Sequence, residues 1–488
     1  MLASLIGLLA VLVRLPPIIT EKILFHFDSA RDWLWVRDLV LSQKLILVGP
    51  WSSLQGVFYG PLTYYLLAIF FVLFDGHPLG GSIYALIVNL AALILLYRFL
   101  KSRLSPVVGL IGLTLLAFAP LSLYVSNFIF QTNPSLILGV LILEPLYRLS
   151  RGDAQALPWI AVLASLGVQT NLFWVGFLLV YVAWLIFWLR LKLTWQLGIK
   201  TLMYFCIPLL PQAVFELRHG FLQTRSLFGF IQGENQSLGD WATLSSRLIQ
   251  RPKLFWDLLQ QSTGGVISLI ALVWVITKKG HDKFLMALVA LLGIFLIEAI
   301  LFPAQFKIWY VYALIPIVVV ITAVWLSGLN KALVIIYLVG FSLWNARGFL
   351  PDKAASGQDM KLFINQLEAV KTVIDWGGDE TYAVYTYTGP IYDYPYQYLF
   401  WWQRQKSWRG PVEYSYLPGK HDYVRNKLIY DPPKKDAGMI FLIMEQDNPA
   451  SDYRWETWLK AFWEYKLVDV KQLKSGVRIE KRVKIDRT

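Results

Sequence analysis

The sequence predicts an all-α, multi-pass membrane module of about eleven or twelve spanning helices over residues 1–350, followed by an α/β soluble domain over residues 351–488. Three observations carry this expectation. The 488 residues are 56% hydrophobic and only 16% charged, against about 25% charged in an ordinary soluble domain. The apolar residues gather into blocks of roughly 15 to 21, the helical length that crosses a hydrocarbon core of about 30 Å. After Leu350 the blocks stop, and charges, turn residues and short alternating runs continue to Thr488.

The candidate spans are 2–19, 57–74, 79–99, 105–122, 134–148, 157–170, 172–189, 197–215, 264–277, 284–301, 308–326 and 331–349. The first has no basic start and no small-residue cleavage site, and it reads as a retained helix rather than a removable leader. Lys101 and Arg103, Arg148 and Arg151, Arg190 with Lys192, Lys278, Lys279 and Lys283, and Lys331 sit in short loops between blocks and mark the cytoplasmic side. The formal charge of +13 is therefore membrane orientation and lipid contact, not a nucleic-acid footprint. Segments 20–56 and 216–263 then lie outside the cell. That assignment requires an odd number of crossings between residues 57 and 99, so one block there is re-entrant or interfacial, or the Lys101 loop breaks the charge rule.

The single cysteine, Cys206, excludes an intrachain disulfide and reads as a small buried apolar residue. Beyond residue 350, the spacing of Leu362, Phe363, Leu367, Val370 and Ile374 predicts a helix, and Tyr382 to Thr388 and Met439 to Met444 predict strands. With a cytoplasmic N-terminus and an odd number of crossings, this domain is extracytoplasmic.

The densest group of charges outside the apolar blocks is FHFDSARDWLWVRDLV, residues 25–40, just past the first span. Asp28 and Asp32 are four apart, so on a helix they share a face with Arg31 and Trp35. The same residues also suit a solvated juxtamembrane helix with ordinary ion pairs. The string resembles the GT-C superfamily of polytopic glycosyltransferases, in particular the branch related to protein O-mannosyltransferases and the lipid A aminoarabinose transferase. Members carry an acidic residue in the first external loop. Asp28-Ser29-Ala30-Arg31-Asp32 matches the first acid and the arginine, while Ser29 replaces the frequent second acid. Gly60, Pro61, Tyr64 and Tyr65 resemble the Gly-Pro-x-x-Tyr-Tyr start of the next helix, and Glu216, Arg218, His219 and Arg225 resemble the opening of a second large external loop.

The resemblance implies transfer of a monosaccharide, with inversion, from a polyprenyl-phosphate carrier to an extracytoplasmic acceptor that is a protein, a lipid or a glycan. It marks Asp28 as the base that takes the acceptor proton, with Arg31, Asp32 and Tyr64 shaping the cleft. The leaving phosphate needs cations, and Arg218, His219, Arg225 and Lys307 are the candidates. Headgroup anchoring for Arg218 and Arg225, an ordinary polar contact for His219 and helix-end snorkelling for Lys307 are the alternatives. No cofactor is called for, although a divalent metal would suit such chemistry.

Arg14, Glu144 and Glu298 lie inside apolar blocks, as cavity-lining charges or as snorkelling block-end residues. Asn127, Gln131 and Asn133 read chiefly as caps for the following helix. The aromatic run 391–402 reads as packing before sugar stacking. The rival class is a transporter or flippase of lipid-linked sugars, but no internal repeat is visible and the polar residues crowd the loops rather than mid-span positions.

Overall fold

The computed structural model describes residues 1–52, 54–171, 173–232, 243–303, 306–349, 360–389, 392–407, 410–433, 437–445 and 453–485. The expected boundary near residue 350 lies outside them.

Five described helices are each long and apolar enough to cross a membrane: Leu2–Ile19, Leu79–Arg103, Trp195–Arg218, Lys283–Leu301 and Ile308–Ser327. Leu244–Thr263 and Gly265–Lys278 would form a sixth span, bent by 99° at Gly264. Shorter apolar helices fill in between them, and the chain is a multi-pass membrane protein. The first helices, α1 (Leu2–Ile19), α2 (Phe27–Ser42), α3 (Leu62–Leu73), α4 (Leu79–Arg103) and α5 (Pro106–Phe118), frame the region around residues 25–40. With 12 residues, α3 reaches about 18 Å and falls short of the hydrocarbon thickness. Block 105–122 breaks at Ala119, which is extended because Pro120 disfavours helix in the residue before it. Block 134–148 likewise divides into Pro134–Leu141 and Leu143–Ser150.

The break at Ala119 explains Arg14. Ending α5 early strips the Ala117 carbonyl of its helical partner. Arg14 is fully buried and donates to that carbonyl at 2.8 Å, to Asn89 Oδ1 at 3.1 Å, to Ser122 Oγ at 3.2 Å and to the Ala10 carbonyl at 2.9 Å. It is thus a pin between α1, α4 and the end of α5, and the snorkelling expectation is corrected. Glu144 instead pairs with Arg103 near the surface. Cys206 is also corrected: it is exposed on Trp195–Arg218, a helix whose apolar window is only 6% buried and so presents nearly all of its surface outward. Asn133 precedes a helix but makes no cap; its amide donates to the carbonyls of Val125 and Phe128 at 2.9 and 3.0 Å, holding the 125–133 segment folded on itself.

The C-terminal part is a mixed five-stranded sheet of β1 (Tyr382–Tyr387), β2 (Glu413–Ser415), β3 (Met439–Met444), β4 (Tyr465–Gln472) and β5 (Arg478–Lys484), ordered β2-β1-β3-β5-β4. β1 pairs in parallel with β2 and β3, and β5 runs antiparallel to β3 and β4. β3 reads MIFLIM and is buried throughout, as expected of a strand covered on both faces. Ile440, Leu442 and Met444 pack one way, with Trp458 and Phe462. Met439, Phe441 and Ile443 pack the other way into a core that also holds Ile18, Phe25, Trp33 and Phe71. The sheet and the start of the membrane module therefore share one hydrophobic core.

A short antiparallel bridge, Leu24 with Leu362, begins this joint. The Phe25 amide donates to the Lys361 carbonyl at 3.0 Å and the Phe363 amide to the Ile23 carbonyl at 2.9 Å. The turn after α3 continues it. Gly76 has φ of +71°, and an added Cβ would stand 2.8 Å from the Tyr398 hydroxyl. Its carbonyl accepts from Trp33 Nε1 at 2.9 Å and from Tyr398, while the Asp75 carbonyl accepts from Trp402 Nε1 at 3.1 Å. The aromatic run is thus packing, with Tyr396, Tyr398, Trp401 and Trp402 all buried.

Replacing Arg14 with alanine strands the Ala117 carbonyl and Asn89, at about 1–3 kcal/mol for each buried group left unsatisfied. The expected result is a clear fall in melting temperature in detergent, partly restored by Arg14→Lys; an unchanged melting curve would show that the pin contributes nothing.

Candidate functional site

Helix α2 holds the acidic string. His26 caps it: Nδ1 accepts from the Ser29 amide at 3.1 Å, and Asp28 occupies the first turn, where a carboxylate suits the helix dipole. Burial pushes the His26 imidazole down, against the pull of Asp28, which keeps Nδ1 free to accept. The ring packs edge-on to Phe128 and Phe130, and Ser29 Oγ donates to the Ile129 carbonyl at 2.7 Å. The cap thereby clips α2 to the 125–133 segment. At the other end Gln43 adopts a left-handed conformation and closes the helix.

Helical spacing brings the expected residues together. Arg31 Nη1 meets Asp28 Oδ1 at 2.7 Å, while Nη2 and Nε meet Asp32 Oδ1 at 2.9 and 3.0 Å. The Tyr64 hydroxyl donates to the same Asp32 oxygen at 3.1 Å, and its ring stacks 6.0 Å from Trp35. Asp32 is wholly buried, and its Oδ2 makes no hydrogen bond. Burial pushes the Asp32 carboxyl up to about 6, although Arg31 pulls the other way. Asp28 differs: its side chain is 36% exposed, so the carboxylate that Arg31 orients is the one open to a ligand.

Arg31 and Trp35 line a cavity of about 550 Å³. Its apolar wall includes Leu47, Trp51, Phe58 and Phe215. His219 joins this wall, stacked 4.0 Å from Phe215. The opposite wall belongs to the C-terminal part: Tyr394, Asp422, Tyr423 and Arg425. Glu216 holds the Gln223 and Thr224 amides at 2.9 Å each, and Gln223 Oε1 accepts from the Phe58 amide, tying the 216–225 stretch to the cavity rim.

Of the sequence candidates, Asp28, Arg31, Asp32 and Tyr64 form one cluster, of which Arg31 lines the cavity, and His219 lines it too. Asp28, Asp32, Tyr64, Arg218, Arg225 and Lys307 are not among the cavity-lining residues. Arg218 and Arg225 are exposed, with Arg225 lying back over Gly220. Lys307 is half-buried and stands 5.8 Å from the Trp309 ring. Sequence reasoning missed Asp422, Tyr423 and Arg425. They lie in an irregular segment nearly 400 residues from α2, where neither periodicity nor motif marks them. For a divalent metal, no three His, Cys, Asp or Glu side chains converge among the described residues, and Arg31 supplies the positive charge between the two carboxylates.

No family model matches the chain, and no curated protein matches it by sequence. Solved structures do match. ArnT from Cupriavidus metallidurans bound to undecaprenyl phosphate is 12% identical with a TM-score of 0.62, over 98% of this chain and 97% of that one. The same protein in its apo state gives 0.58 at 12% identity, over 97% of each chain. The chain shares the fold of ArnT over nearly its whole length, as the resemblance carried by residues 25–40 implied.

Asp32 binds a proton in the folded protein near pH 6 but in the unfolded chain only near its ordinary 3.8. Its contribution to stability is therefore full below about pH 4 and is lost as pH rises through 6. Melting temperatures across pH 4–7 should show this loss, and Asp32→Asn should remove it; an identical slope in the variant would contradict the assignment.

Proposed function

We propose that this protein is a membrane glycosyltransferase that moves a monosaccharide from a polyprenyl-phosphate carrier to an acceptor hydroxyl on the extracytoplasmic face. The observation that carries the reading is the Asp28 carboxylate, part-exposed and ion-paired to Arg31, which lines a cavity of about 550 Å³. The fold supports it, being shared with ArnT, which has been solved with undecaprenyl phosphate bound.

In this mechanism the acceptor hydroxyl approaches Asp28, which takes its proton as the oxygen attacks the anomeric carbon. The new carbon–oxygen bond forms as the bond from that carbon to the carrier phosphate breaks, and the phosphate departs with the electron pair. Attack from the opposite side inverts the anomeric centre. Arg31 orients Asp28, Asp32 and Tyr64 hold Arg31 in place, and Leu47, Trp51 and Phe58 give the cavity that Arg31 lines an apolar wall. His219 would face the substrate within the cavity. Arg218, Arg225 and Lys307 would meet lipid headgroups at its periphery. The sugar and the acceptor are to be identified from cell-envelope glycans in strains with and without the protein.

Replacing Asp28 with asparagine should lower transfer from a labelled polyprenyl-phosphate sugar by about 10² to 10⁴ while carrier binding is kept; wild-type turnover in a folded variant would refute the role. The C-terminal domain should lie outside the cell. With Cys206 replaced by serine, a single Lys466→Cys on exposed β4 should react with a membrane-impermeant thiol reagent applied to intact cells, and labelling only after lysis would reverse the orientation.

A further inference from the structure

Arg425 differs from the other arginines around α2. Arg31 is ion-paired to Asp28 and Asp32. Arg37 is likewise ion-paired to Asp38 at 2.7 Å and donates to the Arg425 carbonyl at 3.3 Å. Arg425 lines the cavity, and among the described residues no carboxylate lies within ion-pairing distance of it. Its guanidinium carbon stands 4.4 Å from the centroid of the Trp35 ring, on the face of α2 that carries Arg31 and Asp32. A guanidinium backed by an indole keeps its N–H edge directed away from the ring.

The segment that carries it is held rigidly. The Tyr423 hydroxyl donates to Asp393 at 2.6 Å and accepts from the Tyr416 amide at 3.1 Å. The Tyr423 ring lies 4.8 Å from Tyr392 and nearly parallel to it, at 9°. Directly after Arg425, Asn426 takes a left-handed conformation and donates to Asp38 Oδ2 at 3.1 Å. Arg425 is thus positioned from both sides before any ligand arrives, which lowers the ordering cost of binding.

We propose that Arg425 is an oxyanion-binding group that the C-terminal domain contributes to the cavity, and that it takes a phosphate oxygen of bound substrate. The inference rests on the transfer reading only for which substrate carries that phosphate. The phosphate has two sources, the lipid carrier or an acceptor that is itself phosphorylated. In either case the C-terminal domain completes the site rather than merely decorating it.

The test is equilibrium binding of undecaprenyl phosphate and, separately, of glucose 1-phosphate to the full-length protein in detergent, without turnover. Arg425→Ala should weaken one of the two by about 10- to 100-fold, the range for a lost charge-assisted hydrogen bond. Arg425→Lys, which keeps the charge but not the fork, should fall between, and Trp35→Leu should weaken the same ligand by less. Loss for the lipid phosphate assigns the carrier, and loss for the sugar phosphate assigns the acceptor side. Unchanged affinity for both in Arg425→Ala, at wild-type melting temperature, overturns the proposal. Should that variant fail to fold, Arg425→Gln serves the same comparison. Because binding is read without transfer, failure here is distinct from failure of Asp28 as the base.

Discussion

The guanidinium of Arg31, set between two carboxylates of its own helix, is the interaction on which the site depends. Three of its N–H groups reach two acids, one wholly buried and one part-exposed. Burying Asp32 alone would be costly, and the bridge together with the Tyr64 hydroxyl recovers part of that cost. What results is asymmetric. Asp32 is fixed and hidden, with its carboxyl raised towards neutrality, while Asp28 keeps an open face beside the same cation. Two acids four residues apart thus acquire different surroundings from burial alone, one enclosed and one accessible.

The bridge needs a helix that cannot tilt, and the fold supplies one. α2 is capped by His26 against the 125–133 segment, and Trp33 reaches the Gly76 turn. The aromatic helix Tyr394–Ser407 packs along its other side, with Phe25 and Tyr398 meeting edge to face at 6.0 Å. Because β3 sends alternate side chains into the same core as Ile18 and Trp33, loss of the sheet would expose the back of α2 as well. The C-terminal domain is for this reason a structural partner of α2, and its Asp422–Arg425 stretch supplies a wall of the cavity.

Much of this was legible in the sequence, for physical reasons that particular residues make plain. Apolar block length marks the membrane helices because hydrocarbon thickness sets their size. Charge density at 25–40 marks α2 because charges beside a span must be paired or used. The all-apolar MIFLIM run and the Leu362 to Ile374 spacing give β3 and the helix Phe363–Gly377 directly. Arg14 was misread because its partners, Asn89, Ala117 and Ser122, come from distant helices, and only the break before Pro120 frees the carbonyl it satisfies. Arg425 was missed for a related reason: its meaning lies in Trp35, on another element, and in the lack of a carboxylate at ion-pairing distance among the described residues. The three-residue β2 and the charge-laden β4 and β5 carry little apolar alternation, and their pairing, β2 on β1, β5 on β3 and β4 on β5, defines them.

The central claim is that a lipid-carrier phosphate comes to rest in the cavity between α2 and the C-terminal domain, next to the carboxylate that Arg31 orients. Its most direct test is an experimental structure of the full-length protein with undecaprenyl phosphate bound. The account predicts phosphate density inside the cavity, facing the Asp28–Arg31 ion pair, with the polyprenyl chain leading out along the membrane helices. Phosphate bound elsewhere, with this cavity closed by protein side chains, would contradict it.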